Sequence, residues 1–184
     1  MGEGNGDETM KKTTIAALCA LVAASAGAQS MGEKTGVDAV MGVTPSTEDF
    51  VKEVALSDMT EIQSSKLAVD KGDAQAKSFA QHMITDHQKT TTELQGLIKT
   101  GAVKVSPPTE LDSSHQSKID KLKKETGHDF TSSYDELQVS AHKDAVSLFE
   151  RYAKGGDNPQ LKDWAGKTLP TLQQHLQMAQ ALNK

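Results

Sequence analysis

The chain has 184 residues, a formal net charge of −5 and only 4% aromatic residues, a length that suits a single domain. The acidic balance and the scarcity of aromatic side chains exclude the basic, base-stacking surface of a typical nucleic-acid-binding protein, so we expect no nucleic-acid partner. The single cysteine, Cys19, lies in an N-terminal segment that we expect to be removed. Disulfides and cysteine nucleophiles are then excluded from the mature protein.

Residues 10–28 have the features of a secretory signal peptide. Two lysines come first, an apolar run of about a dozen residues covers 13–24, and small residues at Ala26 and Ala28 mark a cleavage site. We therefore expect residues 1–28 to be an N-terminal extension plus signal peptide, and the mature protein to be exported to the periplasm. The apolar run is shorter than the roughly 20 residues that cross a bilayer. The mature protein is expected to have no transmembrane segment.

The first half of the mature chain predicts a flexible leader followed by two long helices. Residues 29–47 are rich in Gly, Ser and Thr, so the folded domain is expected to span residues 48–184. Acidic residues after a polar N-cap predict a first helix over about 48–70. A second helix is predicted over about 74–99, because its apolar residues recur at spacings of three and four for three heptads.

The second half predicts a short helix and two further long helices. After a Pro-Pro break, a highly charged segment over about 110–124 predicts a short helix that closes at Gly127. Asp129 is expected to cap a third long helix over about 130–154. The fourth long helix is expected to begin near Pro159, whose missing N–H is harmless in a first turn.

The connections between the long helices are predicted to be short, long and short. One long crossover between the second and third helices is the arrangement of a ferritin-like four-helix bundle, here with a short extra helix in the crossover. No alternating strand pattern competes, so the fold class is all-α. Pro170 lies inside the fourth helix and is expected to bend it or to open its hydrogen-bond ladder one turn before His175.

Each long helix carries one candidate metal ligand near its middle: Glu61, His87, His142 and His175. Each lies on or beside the apolar face of its helix, and their heights along a bundle differ by only about 5 Å. Buried without partners, these groups would each cost several kcal/mol, whereas a metal or a mutual hydrogen-bond network would satisfy them together. Asp86 is expected to be a further ligand or the carboxylate that orients a ligating imidazole.

Three imidazoles with one or two carboxylates suit a single divalent Zn, Fe, Cu or Mn ion. A di-iron centre is disfavoured, because it requires a Glu-x-x-His pair on each of two helices. Val139 stands three residues before His142, and Leu172 stands three residues before His175. The oxidase chemistry of di-iron centres is therefore not expected from these residues.

Two alternatives to this four-ligand metal site remain open. In the first, Glu61 and the histidines form a hydrogen-bond network that fixes helix register; in the second, His142 faces outward and only three groups meet. The other histidines, His82, His115 and His128, are predicted to be solvated.

Three functional hypotheses follow from these residues. The first is a periplasmic metal-binding protein for buffering or envelope stress protection. The second is a metal-dependent enzyme with an open coordination position. The third is a metal-free structural or interaction module with an envelope protein partner or a second copy of itself.

Two segments carry a resemblance to a known family. F-A-Q-H-M-I-T-D-H at 79–87 and L-P-T-L-Q-Q-H at 169–175, together with Phe130, Tyr134 and His142, resemble an exported bacterial domain-of-unknown-function family. Its members are often labelled predicted outer membrane proteins and grouped with the ferritin-like superfamily. The resemblance implies a ferritin-like bundle in the cell envelope and no settled activity. Because no barrel-strand pattern is present, we interpret the location as periplasmic, with a peripheral position at the outer membrane as one possibility. It brings forward a polar core consisting of Glu61, Asp86, His87, His142 and His175.

Overall fold

The computed structural model describes residue 1 and residues 42–182, so the predicted signal peptide and nearly all of the predicted leader lie outside the described residues. The described residues form helices and no strands, which confirms the all-α prediction. None of these helices is long and apolar enough to cross a membrane. The helices are α1 (Thr47–Lys71), α2 (Ala74–Lys99), α3 (Ser113–Lys124), α4 (Gly127–Gly155) and α5 (Pro159–Leu182).

Polar side chains cap three of the four long helices close to the predicted positions. The Ser46 hydroxyl accepts a hydrogen bond from the N–H of Asp49 at the start of α1. The Asp73 carboxylate begins α2 by accepting from Ala76, and Asn158 begins α5 in the same way. Each cap satisfies one of the N–H groups that a helix leaves without an internal partner.

Two predicted helix starts are wrong. The short helix α3 begins at Ser113 and not near residue 110, because the Asp112 side chain accepts from the N–H of His115 and fixes the first turn there. The third long helix, α4, begins at Gly127, so Asp129 lies in its first turn and is not its cap. Gly127 has a φ of +58°, which glycine adopts without strain, and it turns the chain from α3 directly into α4.

The four long helices pack so that each has two long neighbours. α1 packs most extensively against α2, and α4 against α5; α1 also contacts α4, and α2 also contacts α5. The short helix α3 lies on α1 and α4. Its position is fixed by buried Ile119 and Leu122 and by the Lys71 ammonium, which donates to the carbonyl oxygens of Lys123 (2.6 Å) and Glu125 (3.2 Å). A cation at this helix end satisfies carbonyls that have no partner within the helix.

Pro170 does not end α5, which continues for three further turns to Leu182. The proline lies on the exposed side of the helix, as does Gly166, whose carbonyl would otherwise accept from position 170. Pro170 therefore removes one hydrogen bond from a face that water reaches. The helix retains the register that places His175 on its buried side.

The interior consists of two apolar clusters with polar side chains between them. The first cluster includes Phe50, Leu94, Tyr152 and Trp164, which lie in the first half of α1, the second half of α2, the second half of α4 and the first half of α5. The second cluster uses the opposite halves of the same helices. We call the buried polar residues in between the polar layer, which contains Asp58, Thr60, Glu61, Ser64, Ser65, His87, Asp135, Gln138, His142 and His175.

The aromatic contacts of the first cluster predict a large effect of one truncation. Phe50 is fully buried, stacks on Tyr152 at 4.0 Å between ring centroids and meets the edge of Phe149 at 5.0 Å. We expect Phe50→Ala to lower the free energy of unfolding by about 3–5 kcal/mol, measured by urea denaturation. Val43→Ala at an exposed position is the control and should change it by less than about 0.5 kcal/mol. Equal effects of the two substitutions would contradict the assignment of this core.

Candidate metal centre

Three imidazole rings meet in the polar layer, one each from α2, α4 and α5. His87, His142 and His175 are only 1–3% exposed, and their ring centroids lie 5.4 to 5.7 Å apart. One ligand nitrogen of each ring lies within 4.8 Å of those of the other two. We call these residues the histidine trio. The prediction that His142 could face outward is wrong, because its ring is 1% exposed.

Each ring of the trio is bonded through one nitrogen to an acceptor outside the trio. A backbone carbonyl only accepts, and so does a carboxylate when it is ionised, so with Asp58 and Asp86 ionised the ring nitrogen donates in each of these bonds. The bonds are His87 Nδ1 to Asp58 Oδ1 (2.9 Å), His142 Nδ1 to the Gln138 carbonyl oxygen (2.8 Å) and His175 Nε2 to Asp86 Oδ2 (2.8 Å).

The other nitrogen of each ring has no partner among the residues that the structure describes. These atoms are His87 Nε2, His142 Nε2 and His175 Nδ1, and all three are buried. In a neutral ring whose first nitrogen donates, the second nitrogen carries a lone pair. The donating nitrogens bond to three separate acceptors, so the second nitrogens are the atoms through which the rings could share one ligand.

The spacing of the trio is close to that of a metal site. Three atoms within 4.8 Å of one another all lie within about 2.8 Å of a common point, whereas a Zn–N bond is about 2.0–2.1 Å. Each ring would need to move inward by only about 0.7 Å to contact one ion. Small side-chain rotations are sufficient for a shift of this size.

Glu61 lies beside the trio and is not part of the group whose ligand atoms are all within 4.8 Å of one another. It is 1% exposed, and neither carboxylate oxygen has a hydrogen-bond partner within the described part of the chain. Its Oε1 is 3.9 Å from His142 Nδ1, which is too long for a hydrogen bond, and that nitrogen already donates to Gln138. Glu61 therefore brings an unpaired negative charge to the edge of the trio.

Asp86 lies outside the trio and bonds to one of its rings. Its Oδ2 accepts from His175 Nε2 and lies 3.0 Å from His82 Nε2. The His82 side chain is 49% exposed. His128 is also exposed, but in the first turn of α4 and not in a loop.

Asp58 is a site residue that the sequence reasoning missed. It is 3% exposed, accepts from His87 through Oδ1 and from the Thr91 hydroxyl through Oδ2, at 2.9 Å each. Its position contained a usable signal, because Asp58 stands seven residues after Val51 and three before Glu61 on the same face of α1. An acid on an inward face is expected to have a buried partner.

Burial and neighbouring charge affect the three imidazoles differently. Burial lowers the pKa of His87, but the hydrogen bond to Asp58 and the charge of Glu61 outweigh it, so this pKa is raised. Burial prevails at His142, whose pKa is lowered, and at His175, whose pKa falls to about 4. At neutral pH His142 and His175 are therefore neutral and offer lone pairs to a cation. His87 is the ring at which a proton competes most strongly.

Comparison with known proteins places the chain in a family. The model of the family described as "Domain of unknown function (DUF4142)" matches residues 32–182. The chain belongs to this family. Comparison of this DUF4142 chain with curated proteins and with solved structures finds no significant match.

The pKa directions predict an order of protonation in the metal-free DUF4142 protein. We expect His87 to bind its second ring proton at a higher pH than His175, because Asp58 and Glu61 stabilise the imidazolium of His87, whereas burial disfavours that of His175. Long-range ¹H–¹⁵N NMR spectra recorded across a pH titration measure the pKa values of both rings.

A matched variant separates the effect of Asp58 on the pKa of His87 from the effect of burial on the pKa of His175. Asp58→Asn removes the charge next to His87 and should lower the pKa of that ring while leaving His175 near 4. Protonation of His175 ahead of His87 in the wild-type protein would contradict the assignment.

Proposed function

We propose that this DUF4142 domain is a ferritin-like four-helix bundle that binds one divalent transition metal in its polar layer. In this proposal the protein buffers that metal, or protects the envelope from metal stress, in the periplasm. The predicted signal peptide supports the location. Four long helices with short, long and short connections support the bundle, because ferritin-like bundles have one long crossover and build metal sites from facing helices at one height.

The observation that carries the proposal is the hydrogen bonding of the histidine trio. Each ring donates one N–H to a carboxylate or a backbone carbonyl, and its other nitrogen is buried without a partner among the described residues. Metal-ligating histidines show this arrangement, because the outer acceptor fixes the tautomer and makes the ligating nitrogen more basic. Three lone pairs and the Glu61 carboxylate leave an excess of negative potential that a cation would balance.

Zn²⁺ is the ion that these donors suit best. Three imidazole nitrogens and one carboxylate oxygen make a tetrahedral set of nitrogen and oxygen ligands, which Zn²⁺ prefers. Glu61 would be the fourth ligand after a side-chain rotation toward the trio. Fe, Cu and Mn accept similar ligands, and the choice among them depends on supply and geometry.

A holding function has more support than turnover. Catalytic zinc sites keep a coordination position open to substrate, whereas sites that only hold the ion are closed by four protein ligands. All three rings and Glu61 are nearly inaccessible to solvent, which favours a closed site. A redox enzyme would need the open position. A metal-free structural module would need the polar layer to be stable with its lone pairs unpaired.

Metal content of the protein purified without a histidine tag tests the proposal. We expect about one equivalent of divalent metal per chain, and we expect His87→Ala and His175→Ala each to reduce it to below about 0.1 equivalent, because each removes one ligand. The control is His128→Ala, which changes an exposed side chain and should retain the full equivalent. Equal metal content in all three variants refutes the site, with circular dichroism showing that each variant is folded.

A second prediction tests the role of Glu61. Glu61→Gln preserves the shape of the side chain and removes its charge, and we expect zinc affinity to fall by about 10- to 100-fold, measured by competition with a chelator. The control is Glu136→Gln, which changes an exposed acid on α4 and should leave the affinity unchanged.

In the metal-free alternative, a chelator would not alter the thermal midpoint of the wild-type protein, whereas removal of a bound ion lowers it.

A further inference from the structure

A second group of ligand-type side chains lies on the outer side of His175. Asp86 Oδ2 is 2.8 Å from His175 Nε2 and 3.0 Å from His82 Nε2. The rings of His82 and His175 have centroids 5.6 Å apart and are nearly perpendicular. One ligand atom from each of these three residues lies within 4.8 Å of the other two. His82 and Asp86 are four residues apart on α2, which places them on one face of the helix.

Solvent exposure of this second group rises steadily away from the trio. The side chain of His175 is 3% exposed, that of Asp86 is 29% exposed and that of His82 is 49% exposed. The outer partners of the other two rings, Asp58 and Gln138, are buried. Of the three residues that accept hydrogen bonds from the trio, Asp86 is therefore the one that is partly exposed. It lies with His82 where α2 contacts α5, and we call this contact the seam. At the seam, ligand-type side chains connect the buried rings to solvent.

We propose that His82, Asp86 and Nε2 of His175 form a second, solvent-facing position for the divalent cation, through which the buried position is loaded. The proposal rests on the proposed function, because it requires a buried position to load. The chemistry is the same at both positions: imidazole nitrogens with a carboxylate oxygen suit the borderline metals that the trio suits.

The ring of His175 links the two positions and makes them alternatives. With the ion outside on Nε2, the ring proton is on Nδ1 and faces the lone pairs of His87 and His142. With the ion inside on Nδ1, the proton is on Nε2 and is donated to Asp86, as in the described structure. One proton leaves one nitrogen and one binds the other, so the ring stays neutral in both states. Because a neutral ring offers one lone pair, the two positions are not filled together.

The experiment compares loading and release of Zn²⁺ in the wild-type mature chain and in His82→Ala. Stopped-flow mixing with a zinc indicator measures loading, and mixing of the loaded protein with excess chelator measures release. We expect His82→Ala to slow both by about tenfold or more, with the stoichiometry still one. The dissociation constant, as the ratio of release to loading rates, stays unchanged because a residue used only on the route alters both rates equally.

The control is His115→Ala. His115 also pairs with a nearby acid, the residue that caps its helix, with Nδ1 2.8 Å from Asp112 Oδ1, but it lies on α3, away from the seam between α2 and α5. This variant should load and release Zn²⁺ at wild-type rates. It therefore accounts for any general effect of removing a surface histidine next to a carboxylate.

Each outcome is decisive. If the wild-type chain takes up no metal, the proposed function itself fails. If His82→Ala loads and releases Zn²⁺ at wild-type rates, the loading position is refuted while the buried centre stands. If His82→Ala instead weakens equilibrium binding or lowers the stoichiometry, His82 belongs to the holding site and the loading role is refuted.

Discussion

The structure depends on one constraint: the polar side chains that lie between the two apolar clusters are buried, so they need hydrogen-bond partners inside the protein. Helical hydrogen bonds satisfy most of the backbone, and each trio N–H has an acceptor on Asp58, Asp86 or the Gln138 carbonyl. The side-chain atoms of this layer that have no partner among the described residues are the second nitrogens of the three rings and four oxygens: both carboxylate oxygens of Glu61, Oδ1 of Asp135 and Oε1 of Gln138. Buried acceptors without donors are costly, so this layer favours whatever positive species enters it.

Protons and metal ions are the two positive species that the layer can take. The raised pKa of His87 shows where a proton is most favoured, next to Asp58 and Glu61. A metal ion would need the same lone pair on Nε2, so binding should displace any proton held there. Affinity for the cation would then fall as the pH falls through the pKa of His87. The same charges that would attract a metal would also make its retention sensitive to acid.

Much of the fold could be predicted from sequence, because apolar spacing held over three heptads determines which face of a helix is buried. That spacing gave α2 its observed bounds and placed His87 and His175 inside. The start of α4 was missed because it depends on the positive φ of Gly127, which apolar periodicity does not report. The partners of each ring were missed or left open for a similar reason: side-chain rotamers, and not helix register, turn Asp58 and Asp86 toward their histidines.

The two apolar clusters share no residue with the polar layer, and together they join both halves of the four long helices. The apolar packing of the domain therefore lies outside the proposed metal site, in contrast to small zinc domains that fold only when loaded. Uptake into such a preassembled frame would remove little apolar surface from water, so its heat-capacity change should be near zero. A metal-binding domain built in this way would stay folded while metal is scarce and would bind it again when supply returns.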